Sequence, residues 1–123
     1  MSNNKPIFED FEKTVTRLGE VLKLEKTDIN RDSAIKRFEL CFDLAWKSFK
    51  AYAKNQGLEC YSPRECFKTA FQLKLIEHDK EWLEMIEDRN RTAHLYNEAQ
   101  ANEVYSSFPN YLKLFEGLLN TLK

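Results

Sequence analysis

Ile35-Lys36-Arg37-Phe38-Glu39-Leu40-Cys41-Phe42-Asp43-Leu44-Ala45-Trp46-Lys47-Ser48-Phe49-Lys50-Ala51-Tyr52 decides the fold. Ile35, Phe38, Phe42, Ala45, Trp46, Phe49 and Tyr52 recur mostly at steps of three and four, which is the period of one helix face. The stripe predicts a helix over 32–56. Asp32 or Asn30 caps its start. Gly57 suits the left-handed position past its last turn, with Leu58 packing back on the helix.

The same period extends to both sides. Phe8, Phe11, Val15, Leu18 and Leu22 predict a first helix over 6–24, with Pro6 tolerated in its first turn and 25–31 as a polar connector. Ser62-Pro63-Arg64-Glu65 is a helix start: Ser62 as the cap, Pro63 at the first helical position, Glu65 completing a capping box. The short helix that follows should bury Phe67, Ala70, Phe71 and Leu75. Asp79 is placed to cap a fourth helix that buries Trp82, Met85 and Ile86. Asn97, with Gln100 three residues on, reads as a fresh cap, so the fourth helix should end or bend between Ala93 and Tyr96. A last helix carries Val104, Phe108, Tyr111, Phe115, Leu118 and Leu122. Pro109 should kink it by removing a backbone donor and crowding the preceding turn. The expected fold is all-α: an up-down four-helix bundle with an additional short helix, one domain over 1–123.

Composition agrees. In 123 residues there are only 3 Gly and 3 Pro, too few for the many turns of an all-β fold. The 19 basic and 20 acidic residues leave a net charge of -1, unlike proteins held on nucleic acid by charge alone. A local cationic site remains compatible with that balance. Cys41, Cys60 and Cys66 are odd in number and form no Cys-x-x-Cys pair. They read as free thiols in a reducing compartment. The first residues lead into no apolar signal segment, and no apolar run has the length of a membrane span. The chain is therefore expected to be cytoplasmic, with no membrane partner.

Most chemistries lack their residues. There is no glycine-rich phosphate loop and no nucleophile elbow. The two histidines, His78 and His94, have no neighbours at metal-ligand spacing, so neither a metal nor another cofactor is expected. His78 reads as a solvent-exposed residue at a helix start. Glu39 and Asp43 share a helix face that borders the buried stripe, which allows a paired acid site, but the favoured reading is ordinary surface pairing with the flanking Arg37 and Lys47.

The unusual stretch is Asp88-Arg89-Asn90-Arg91-Thr92-Ala93-His94-Leu95-Tyr96-Asn97-Glu98. Arginine binds phosphate oxygens in a fork, histidine gives or takes a proton near neutrality, and tyrosine adds a hydroxyl. These are the groups that phosphodiester chemistry without a metal requires. On an ideal helix Arg89 and His94 point about 140° apart. They converge only if the helix breaks between them or a second subunit supplies one of them. The plainer alternative pairs Arg89 with Glu84, Asp88 or another helix and leaves His94 capping the helix end.

Arg89-x4-His94-x-Tyr96 resembles the R-x4-H-x-Y motif of HEPN-domain proteins. The stretches Phe38 to Lys47, Ser62-Pro63-Arg64-Glu65 and His94-Leu95-Tyr96-Asn97-Glu98 make the likeness closest to the branch called nucleotidyltransferase substrate-binding proteins. That branch includes the HEPN toxins of toxin–antitoxin pairs. The resemblance runs over about 34–115. It implies a four- or five-helix bundle that forms a homodimer, two motif copies facing one cleft, and a small nucleotidyltransferase as partner. In the toxin reading such a protein is a metal-independent ribonuclease. Arg89 would then hold the scissile phosphate, and His94 would move the proton during attack of the ribose 2′-hydroxyl. Tyr96 matches the tyrosine that the partner modifies with AMP, adding bulk and charge where RNA must sit. Asn90, Arg91 and Asn97 would be binding residues.

The leading expectation is therefore a ribonuclease toxin silenced by its nucleotidyltransferase. Behind it stands a non-catalytic subunit presenting a nucleotide or small substrate to that enzyme. A third possibility is a helical interaction module in which Arg89 and His94 are structural.

Overall fold

The computed structural model describes residues 4–77 and 79–123, the side chain of Asp79 excepted. It shows α1 (Lys5–Leu22), α2 (Asp28–Asn55), α3 (Pro63–Gln72), α4 (Asp79–Arg91), a 3-10 turn (Thr92–His94), α5 (Glu98–Tyr105) and α6 (Phe108–Leu122). Among the described residues there is no strand, so the all-α helical bundle stands. None of these helices is long and apolar enough to cross a membrane. His78, expected to be solvent-exposed, and the capping role of the Asp79 side chain lie outside the described residues.

α2 is the axis of the molecule, packing against α1, α3, α5 and α6. Its 28 residues span roughly 42 Å at 1.5 Å per residue. The helix starts four residues before the expected position. Thr27, in extended conformation, is the cap: its side chain accepts from the Asn30 amide at 3.0 Å. Asp32 and Asn30 therefore sit inside the helix rather than capping it. At the other end Gly57 takes the predicted left-handed position, at φ 79°. The Leu58 amide reaches back to the Ala53 carbonyl at 2.9 Å, and the Gly57 amide to Lys54 at 3.1 Å.

The predicted stripes meet in one core. Phe38, fully buried, stacks on Phe108 with ring centroids 4.7 Å apart and on Tyr111 at 5.6 Å. Trp82 lies 4.6 Å from Phe67 and edges onto Phe115. Met85 and Ile86 are buried as expected. Each such side chain contributes about 1.5–3 kcal/mol by leaving water, so this aromatic layer ties α2, α3, α4 and α6 together.

Several expectations need correction. The last helix is not kinked but divided: Ser106 and Ser107 separate α5 from α6, and Pro109 sits in the first turn of α6. A proline is unstrained there, where no intrahelical donor is required. The division makes six α-helices of the described residues where five were expected. Phe71 is exposed, not buried; Cys66 takes the inward position on α3 beside Phe67. Helix α3 closes on Lys74 at φ 61°, a left-handed position filled without a glycine.

The cysteines are corrected as well. Cys60 and Cys66 form a disulfide, with Cα atoms 5.1 Å apart, and only Cys41 is a free, buried thiol. The turn at Tyr61-Ser62 folds Cys60 against the first turn of α3, which carries Cys66. An odd count of cysteines is compatible with one bridge and one thiol. The cytoplasmic expectation loses the argument that rested on free thiols.

Candidate functional site

The Ser62-Pro63 start of α3 and the Asn97 start of α5 bracket α4, and the motif occupies the end of α4. Helical conformation runs as α-helix to Arg91 and as a 3-10 turn to His94. Leu95 is then extended, at ψ 105°. Asn97 caps α5 by accepting from the Gln100 amide at 2.9 Å, and the Gln100 side chain accepts from the Tyr96 amide at 2.9 Å. Asn97 caps as predicted, but the Gln100 side chain reaches one residue past the cap, to the Tyr96 amide rather than that of Asn97, so the predicted capping box forms in a shifted version. The break falls where the motif needs it.

The break does not bring Arg89 and His94 together. Arg89 turns toward α2. Its Nη1 donates to Glu39 Oε2 at 2.8 Å and to the Thr92 hydroxyl at 3.1 Å, while Nε and Nη2 each reach an Asp43 carboxylate oxygen at 3.4 Å. The Thr92 hydroxyl lies 2.8 Å from Glu39 Oε2 and 2.6 Å from the Arg89 carbonyl oxygen. Its single proton serves one of them at a time. Glu39 and Asp43 are thus neutralised by Arg89, not by Arg37 and Lys47 as the local sequence suggested. With its side chain only 26% exposed and both carboxylates engaged, Arg89 is held at the α2–α4 junction.

His94 and Tyr96 turn outward. His94 Nδ1 lies 3.3 Å from the Tyr96 hydroxyl, and Tyr96 is 81% exposed. Tyr96 stands as a ridge between two shallow grooves. One, of about 430 Å³, is lined by Asn90, Arg91, His94, Leu95 and Gln100. The other, of about 380 Å³, is lined by Arg31, Asp32, Ile35, Leu95, Asn97 and Ala101. The structure therefore gathers Asn90, Arg91, His94 and Tyr96 around one groove, puts Asn97 in the other, and leaves Arg89 lining neither.

The cations around the ridge have carboxylate partners. Arg91 pairs with Asp88 at 3.5 Å and Glu103 at 3.3 Å. Arg31 is buried and pairs with Asp28, Asp32 and Glu98 at 3.1–3.5 Å, and donates to Asn102 Oδ1 at 3.2 Å. Asp88 also accepts from the Tyr111 hydroxyl at 2.6 Å. Burial first, and then this carboxylate, push the Tyr111 phenol well above its ordinary range. Among the described residues no three His, Cys, Asp or Glu side chains gather to hold a metal.

Sequence reasoning missed Thr92, Arg31 and Gln100 as parts of this region. Gln100 was legible as a cap partner but not as a groove wall. Thr92 and Arg31 gave no local signal, because their partners lie on other helices. The arrangement as it stands offers an exposed phenol beside an imidazole, flanked by amides and a paired guanidinium.

A family model described as nucleotidyltransferase substrate binding protein like matches residues 7–123. Among solved structures, a protein from Thermus thermophilus superposes with a TM-score of 0.87 at 35% identity, over 92% of this chain and 98% of that one. A protein from Haemophilus influenzae, whose structure reveals the fold of a substrate-binding domain of a nucleotidyltransferase, gives 0.71 at 22% identity, over 97% and 96%. The tri-AMPylated HEPN toxin of Shewanella oneidensis, in complex with its MNT antitoxin, gives 0.77 at 19% identity, over 98% and 97%. At these lower identities the last two likenesses are of fold. Among curated proteins none matches the chain.

Proposed function

We propose, because this chain belongs to the family of nucleotidyltransferase substrate-binding-like proteins, that it is the binding partner of a small nucleotidyltransferase and offers Tyr96 to that enzyme as an acceptor of AMP. The observation that carries this reading is the exposed Tyr96 ring with its hydroxyl 3.3 Å from His94 Nδ1. With the His94 proton on Nε2, Nδ1 takes the phenolic proton. The phenolate oxygen then bonds to the α-phosphorus of ATP, and pyrophosphate leaves with the electron pair of the broken bond. The enzyme would supply the ATP site; this chain supplies nucleophile and base. The two grooves beside Tyr96 give a protein partner relief to grip, and the related toxin carries AMP in complex with its antitoxin. A homodimer, implied by the family motif, would present two such tyrosines.

The test is complex formation. On gel filtration the chain should co-elute with a small nucleotidyltransferase of this family's partner class, and Tyr96→Ala should weaken the complex. Co-elution unchanged in that variant would move the interface elsewhere; no co-elution of the native chain would remove the partner reading.

The ribonuclease reading has one observation in its favour: His94 lies open at the edge of a groove that also holds Arg91, Asn90 and Gln100. Against it, Arg89 already has two carboxylate partners and would have to exchange them for a phosphate. Incubation with a mixed RNA pool in EDTA, beside His94→Ala, separates the cases. Cleavage lost in the variant supports a nuclease; an intact pool with both proteins leaves the binding subunit.

A further inference from the structure

A second cationic neighbourhood lies on another face of α2, along its contact with α1. A groove of about 340 Å³ is lined by Thr14 and Arg17 of α1 and by Ser33, Lys36, Arg37 and Leu40 of α2. Three of these six residues are cationic and none is acidic. Asp10 and Glu20, on the same helix as Arg17, do not line it. Ser33, Lys36, Arg37 and Leu40 follow the i, i+3, i+4, i+7 spacing of one helix face, so they project together by construction.

Arg37 is held in place. Its Nη1 donates to the Arg17 carbonyl oxygen at 2.7 Å, which fixes the guanidinium across the two helices and leaves its remaining N–H groups to the groove. The Thr14 hydroxyl is spent on the Phe11 carbonyl at 2.8 Å, so the hydroxyl available here is that of Ser33. Leu40, 43% exposed, forms an apolar edge.

Three like charges in one groove repel one another, and nothing lining it offsets them. An anion of matching charge would. The groove face from Ser33 to Leu40 runs about 10 Å along α2, longer than a single phosphate and long enough for linked ones, with Lys36 and Arg37 side by side at its middle and Arg17 facing them from α1. Arginine forks and a lysine point charge are the usual donors to phosphate oxygens. The volume is at the low end of small-ligand clefts. We infer that this α1–α2 groove binds the di- or triphosphate chain of a small phosphorylated ligand, through Arg17, Lys36, Arg37 and the Ser33 hydroxyl.

The assignment stands on these charges and not on the Tyr96 reading. The experiment is calorimetric titration of the purified chain at low salt with ATP, inorganic pyrophosphate, inorganic phosphate and adenosine. ATP and pyrophosphate should bind, phosphate more weakly, and adenosine not at all. Lys36→Ala and Arg37→Ala should each weaken pyrophosphate about tenfold, while Arg64→Ala, an exposed arginine outside the groove, leaves it unchanged. Lys36 makes no bond that folding needs, so a Lys36→Ala effect cannot be blamed on lost structure. Three results would overturn the site: no binding of pyrophosphate, phosphate as tight as pyrophosphate, or binding that survives both variants. AMP transfer to Tyr96 is read separately by mass, so loss of either claim leaves the other visible.

Discussion

Arg89 and Arg37 are both arginines on the surface of α2's surroundings, yet they live in opposite electrostatic neighbourhoods. Arg89 meets Glu39 and Asp43, four residues apart on α2, and its charge is used up inside the molecule. Arg37 meets Arg17 and Lys36, and in its groove no carboxylate answers it. One helix carries both situations on two of its faces. Residue type therefore says little about whether an arginine is a support or a binding group; the neighbours supplied by the next helix decide it. The arginine in the recognisable motif acts as a strut here, and the arginine in no motif is the one with donors to spare.

The largest effect should come from the core that both neighbourhoods share. Phe38→Ala empties the layer between α2 and α6 and should cost about 3–5 kcal/mol in a denaturant melt. It should disable both faces at once, and a loss confined to one face would show that they fold separately. Next, Arg89→Ala leaves Glu39 and Asp43 facing each other without a cation. A loss of about 1–3 kcal/mol is expected, scaled down from a fully buried pair because Arg89 is partly exposed. The matching change, Arg37→Ala, should stay within about 0.5 kcal/mol. Equal losses for the two would erase the contrast drawn between them.

A pH profile probes the base of the second neighbourhood. Burial pushes the Cys41 thiol up to about 12 from an ordinary 9.0, with its side-chain contact to Thr14 working the other way. The folded state therefore keeps a proton that the unfolded chain releases. Stability is unaffected below pH 9 and falls as pH rises from there toward 12. At pH 10 the loss from this group is about 1.4 kcal/mol. Cys41→Ala should remove that part of the slope, and an unchanged slope would assign it to other groups such as Tyr111.

Local sequence signals carried much of this architecture. Ser62-Pro63, Gly57 and the Asn97–Gln100 pair work at a range of a few residues, and each appears in the structure as a cap. Trp82, Met85 and Ile86 needed only helical period to be placed inside. What escaped depends on distance or on competition. Arg89 finds partners 46 and 50 residues away, which no local pattern reveals. Thr27 outcompeted Asn30 and Asp32 because an extended residue there adds a turn that carries Arg31 to Asp28 and Glu98. Pro109 was read as an interruption when it is a beginning. Lys74 fills a position where glycine is the usual signal, so the end of α3 was silent. For the site, the helix break was legible and its consequence was not: it turns His94 and Tyr96 outward and leaves Arg89 behind.

The most direct test of the account is intact-mass spectrometry of the chain after incubation with a small nucleotidyltransferase of the partner class, ATP and magnesium. The account predicts a mass gain of one or more AMP units, with the first placed on Tyr96 by peptide mapping. It should be absent in Tyr96→Phe and slowed in His94→Ala. AMP transfer that persists in Tyr96→Phe, or no transfer within a stable complex, would contradict it.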